Sequence, residues 1–166
     1  MFSAIYAVTV VVGGFGSQII AGRISDTFEK KSFKTKPFVC MFMSLIGGAC
    51  AAIAFSTTFS FWFSTLMLFP MYLLGEGWMP PALAMIQTTI DVRYKAVSMA
   101  VFLFATAISG TIGTFVVGKV IDSLEEETQK SKGYIIALNT GIPCVLAAIM
   151  FFITSFYYEK HMQKQS

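Results

Sequence analysis

Five long apolar stretches run along this chain, separated only by short polar segments. They extend from about Ser3 to Ile24, Phe38 to Phe55, Phe61 to Ile90, Ala96 to Ile121 and Tyr134 to Tyr158. A helix of about 20 apolar residues, rising about 1.5 Å per residue, crosses a hydrocarbon core of about 30 Å. Composition agrees with that reading. The chain is 55% hydrophobic and only 13% charged, with a mean hydropathy of +0.70. A soluble domain carries about 25% charged residues, because it must present a polar surface to water. The expected fold is therefore all-α: a polytopic membrane helix bundle of about five transmembrane helices. Residues 1–158 form its membrane domain, and residues 159–166 form a polar tail.

The third stretch is longer than a bilayer requires, at roughly 45 Å if helical throughout. It must tilt, kink or extend beyond the membrane. Pro70, Pro80 and Pro81 supply the kink points, since proline lacks the N–H of a helical hydrogen bond and crowds the preceding turn. With five spans, Arg23, Lys30, Lys31, Lys34, Lys36, Arg93, Lys95, Lys160 and Lys164 fall on one side. Only Lys119, Lys130 and Lys132 fall on the other. Basic residues concentrate on the cytoplasmic side, so an outside N-terminus and a cytoplasmic C-terminus are expected.

Helices in lipid associate through close packing, which small residues permit. Such seams occur at Gly13, Ser17 and Ala21, at Gly47, Gly48, Ala51 and Ala52, and at Ala105, Ser109, Gly110 and Gly113. Cys40, Cys50 and Cys144 lie inside apolar runs and read as small packing residues, not as a disulfide framework or a metal site.

Two constellations carry chemistry. In the first polar segment, Gly22 is followed by Asp26 four residues later and then by Lys30 and Lys31. In the middle of the third stretch stands Gly75-Glu76-Gly77-Trp78-Met79-Pro80-Pro81. A carboxylate at that depth costs at least a few kcal/mol unless neutralised, hydrated or paired, and such residues mark substrate pathways or proton relays. The glycines and prolines around Glu76 weaken the helix and leave backbone groups to face a cavity.

The frame Gly22…Asp26…Lys30-Lys31, placed between two spans, resembles the cytoplasmic-loop signature of the major facilitator superfamily. The resemblance implies that Gly22 permits close helix contact and that Asp26 caps a neighbouring helix and pairs with a basic residue. Gly22, Arg23, Asp26, Lys30 and Lys31, with Arg93 in the turn after the third stretch, would then form a conformational gate. Thr27 and Glu29 depart from the pattern, standing where the family has a basic residue and a second glycine. The stretch from Glu76 to Asp122, with Gln87, Arg93, Gly110, Gly113 and Gly118, looks most like Spinster-type members. On this likeness the five spans match helices eight to twelve, a partial C-terminal half. Because the tenth helix lines the central cavity in that family, Tyr72, Glu76, Trp78 and Gln87 become candidate substrate or proton-cavity residues.

The function implied is transmembrane transport of a small solute by alternating access, with a proton as a candidate coupling ion. The partners expected are the lipid bilayer, a small-molecule substrate, and either a missing N-terminal half or another membrane subunit. The competing reading is a non-transporting scaffold or complex subunit derived from a half-transporter. Five spans are one short of a six-helix half, so an incomplete chain, or one that works with a partner, is expected. No enzymatic activity, cofactor or metal is implied: His161 is the lone histidine and lies in the tail, so no catalytic triad or metal-ligand cluster can be assembled. The topology accounts for the basic residues without nucleic acid.

Overall fold

A computed structural model describes residues 2–29, 32–56, 61–123 and 129–165, and the regular structure in them is helical. In order, the elements are α1 (Phe2–Glu29), α2 (Thr35–Ser56) and α3 (Phe61–Gly75), then a 3-10 turn over Glu76–Trp78. After it come α4 (Met79–Thr89), a second 3-10 turn over Val92–Tyr94, α5 (Lys95–Asp122) and α6 (Gln129–Gln165). This is the all-α membrane bundle that the hydropathy pattern implies. Among the described residues, four stretches are individually long and apolar enough to cross a bilayer: Tyr6–Glu29, Thr35–Ser56, Val92–Asp122 and Gly133–Lys164.

The third apolar stretch differs, because it is built in two pieces. Helix α3 has 15 residues and α4 has 11, or about 22 and 16 Å, and neither crosses a bilayer alone. Gly75, Trp78 and Met79 nonetheless all keep right-handed helical backbone angles. The two pieces are thus one helical path, tightened in its middle. The cause lies just downstream. Pro80 and Pro81 have no N–H to give the carbonyls of Glu76 and Gly77, four residues earlier, and the Pro80 ring crowds the first of these. With those bonds unavailable, the turn over Glu76–Trp78 winds to the tighter 3-10 form.

Two helices also run past their expected ends. Helix α1 continues beyond Ile24 to Glu29, so Asp26 stands on a helix and not in a loop. Helix α6 continues beyond Tyr158 to Gln165, which makes the polar tail helical.

Helix α2 is central. It packs most extensively against α6, and next against α3. Adjacent glycines make both contacts possible. Gly47 meets Gly75 backbone to backbone, leaving no room for a side chain. A methyl group at Gly48 would lie 2.6 Å from Cys144 Cβ on α6. Gly77 occupies the same kind of position against α1, where a methyl would lie 2.9 Å from both Ala21 Cβ and Ser17 Oγ. Most of the buried residues among those described are correspondingly small, Ser17, Ala21, Cys40, Ala51, Ala54, Ala82 and Ala148 among them, with Leu68, Met85, Tyr158 and Lys36 among the larger ones.

Helix α5 stands apart. It has no buried residue, and its Gly110, Gly113 and Gly118 face open space. It touches only the turn before it, α4 and α6 to any extent. Its small-residue seam therefore has no packing partner among the described residues.

These two environments predict opposite outcomes for one substitution. Gly48→Leu overpacks the α2–α6 contact and costs about 1–3 kcal/mol, read as a lowered midpoint of thermal unfolding in detergent. Gly113→Leu leaves the midpoint unchanged.

Candidate functional site

Charged and hydroxyl side chains converge at one end of the bundle, where α1 and α4 stop, α2 starts and α6 makes its last turns. Lys36, in the first turn of α2, is almost fully buried, and its Nζ lies 2.7 Å from Glu29 Oε2. The other carboxylate oxygen, Oε1, accepts a hydrogen bond from the Tyr158 hydroxyl at 3.1 Å. Thr88 Oγ1, on α4, lies 3.0 Å from that same hydroxyl. Beside this chain, Lys34 Nζ is 3.1 Å from Glu159 and 5.5 Å from the centre of the Phe156 ring. Four separate helices are thereby tied through Glu29 and Tyr158. A buried ammonium is tolerated only when paired and hydrogen-bonded, and Glu29 supplies the pairing.

The gate residues implied by the family frame lie nearby and are engaged differently. Arg23 and Asp26 are exposed on α1, and neither forms an ion pair among the described residues. Gly22 is half-buried and faces Pro80, whose Cβ would lie 3.9 Å from an added methyl. Its carbonyl accepts a hydrogen bond from Ser25 Oγ at 2.9 Å. Arg93 is exposed, with its guanidinium 5.8 Å from the Tyr94 ring centre. Lys30 and Lys31 lie outside the described residues.

The four cavity candidates do not share one pocket. Tyr72 and Glu76 are one turn apart on the helical path. The Tyr72 hydroxyl sits 2.7 Å from that of Tyr6 on α1, with the two rings edge to face at 6.0 Å. Glu76 opens the 3-10 turn and is half-buried. Among the described residues, no hydrogen bond or ion pair reaches its carboxylate. Trp78 packs elsewhere, 6.2 Å from the Phe102 ring on α5 and 6.3 Å from the Phe151 ring on α6. Its carbonyl accepts a weak bond from Cys40 Sγ at 3.3 Å. Gln87 lies on α4 toward α5, where Nε2 is 3.2 Å from Met99 Sδ.

Tyr6 and the Glu29–Lys36–Tyr158 chain are the polar constellations that reading the sequence alone did not single out. A signal for the second existed. Glu29 departs from the family frame, and Lys36 stands directly before Pro37, at the entry of an apolar run. Among the described residues, no group of three or more His, Cys, Asp or Glu side chains is placed to hold a metal ion.

Comparison with known proteins is sparse. No family model matches the chain, and no solved structure matches it. It is similar to a protein of Mycolicibacterium smegmatis named as an MFS-type efflux pump, at 24% identity over 149 residues. That match covers 89% of this chain but 34% of the relative, so the chain spans about a third of the relative's length. The likeness runs over the apolar helices, and among the described residues four of these are long and apolar enough to cross a membrane, as an integral membrane protein requires.

The Glu29–Lys36 pair predicts a specific pattern of stability. Glu29→Gln leaves the Lys36 ammonium buried without its counter-charge and costs about 2 kcal/mol or more. Adding Lys36→Met recovers most of the loss. Thermal unfolding of both variants in detergent checks the pattern, and equal destabilisation by single and double variants contradicts it.

Proposed function

We propose that this chain is part of a secondary transporter of the major facilitator type. It moves a small solute by alternating access, with Glu76 as the group that carries a proton or meets a cationic substrate. The observation behind this reading is the setting of Glu76. A half-buried carboxylate stands at the tightened point of a long apolar helical path, without a protein partner among the described residues. Carboxylates at that depth are costly and belong to ion or substrate pathways. Irregular backbone at membrane depth is tolerated where it lines protein or a cavity, and discontinuous helices form the sites of many transporters. Tyr72 accompanies Glu76 on this reading. Trp78 and Gln87, further along the path, contribute as other faces of it turn to the cavity during the cycle.

The relative's role as an efflux pump favours export. The basic end of the bundle is the cytoplasmic end, with the N-terminus outside. Arg23, Asp26, Lys30, Lys31 and Arg93 act there as a gate with Gly22 at its helix contact. The residue order from Glu76 to Asp122 keeps the Spinster-type likeness as a narrower form of the same proposal, resting on those residues alone.

The bare surface of α5 favours a partner. That partner is an N-terminal half, or in the scaffold reading another membrane subunit. Reading the gene upstream of Met1 separates the two: further spans in frame support the transporter, and a stop codon supports the subunit.

Glu76→Gln is expected to abolish gradient-driven transport of a fluorescent efflux probe, with the amount of folded protein unchanged. Transport at the wild-type rate would refute the assignment. Asp26→Asn is expected to shift the thiol-reagent accessibility of a cysteine placed at position 72. An unaltered pattern counts against the gate.

A further inference from the structure

The last turns of α6 bring an apolar groove and a basic rim together. A groove of about 610 Å³ opens between α4, α5 and α6, lined by Ala82, Met85, Phe102, Phe151 and Thr154 and reaching Tyr157 and His161. A smaller cleft of about 170 Å³ follows directly, lined by Tyr157, Lys160, His161 and Lys164. Tyr157 and His161 belong to both, so the two are continuous. The spacing of 157, 160, 161 and 164 puts all four side chains on one helix face. The nearest acid on this helix, Glu159, is held by Lys34 at 3.1 Å. The adjoining α4–α5 turn carries exposed Arg93 along with Asp91, and Lys95 opens α5.

We propose that this groove is a binding site for an anionic phospholipid. One acyl chain lies along Ala82, Met85, Phe102 and Phe151, and the headgroup phosphate rests among Lys160, His161 and Lys164. Length and charge select this occupant. From Phe151 to His161 the helix rises about 15 Å, half of a hydrocarbon core of about 30 Å and so the depth of one leaflet. The apolar part therefore spans acyl-chain depth, and the lysines fall at headgroup level. Clustered basic side chains at that level attract anionic headgroups, whereas a zwitterionic headgroup brings a cationic amine against them.

The test uses the full chain in phosphatidylcholine nanodiscs. They are doped either with phosphatidylglycerol or with phosphatidylcholine, each carrying a photoreactive diazirine on one acyl chain, and the cross-linked peptides are mapped. Phosphatidylglycerol is expected to label residues 82–90 and 151–158 severalfold more than phosphatidylcholine does. Lys160→Gln with Lys164→Gln is expected to remove most of that excess, bringing the two lipids close to parity, and excess inorganic phosphate to leave it unchanged. Equal labelling by the two lipids in the unaltered protein overturns the proposal, whatever the variant does. So does an excess that survives loss of both lysines or that free phosphate removes. Cross-links from these peptides to a second copy of the chain, in place of lipid, overturn it as well.

Discussion

Two neighbouring residues without side chains allow one helix to touch two others closely, one at its backbone and one at a small side chain. Gly47 meets Gly75 and Gly48 meets Cys144, so α2 sits between the broken third segment and α6 with almost nothing interposed. In lipid there is little gain from hiding apolar surface, and close contact supplies the association instead. The positions of the other parts follow. Gly75 is fixed against α2, and Gly77 is fixed against Ser17 and Ala21 of α1. The turn that carries Glu76 is thus gripped on both sides, just where the prolines have weakened its own hydrogen bonds. Packing from outside replaces rigidity lost from within.

A carboxylate held at such a point suits the role proposed for it. Its backbone is located by α1 and α2, while its side chain keeps partial access and carries no fixed partner among the described residues. The charges at the basic end are arranged in the opposite way. Glu29 is engaged at both oxygens, by Lys36 and by Tyr158. One acid is clamped and the other is available, and the proposed division between holding and working follows from that difference.

Much of this architecture was legible in the sequence because hydropathy and proline act locally. The apolar runs located the helices, and Pro80 and Pro81 announced the break near Glu76. What escaped depended on contacts between distant residues. Nothing near Glu29 reveals that Tyr158, 129 residues away, will reach its carboxylate. Helix α1 outran its expected end because the polar residues from Ser25 to Glu29 disfavour the membrane core without disfavouring a helix. Tyr72, Trp78 and Gln87 were grouped through their shared segment. A helix rotates its side chains by about 100° per residue, so one segment faces several neighbours, and these three meet α1, α6 and α5 respectively.

The tie between Glu29 and Tyr158 also bears on how the protein is made. Helices enter the bilayer in the order of synthesis, and α1 carries a carboxylate whose hydroxyl donor arrives only with α6. Lys36 can neutralise Glu29 early, since the two stand only seven positions apart in sequence. Tyr158, and the Glu159 that engages Lys34, come later. Until α6 is in place, these two contacts at the basic end cannot form. A chain stopped before α6 would keep the Glu29–Lys36 pair but lose the tie that joins it to the far end of the sequence.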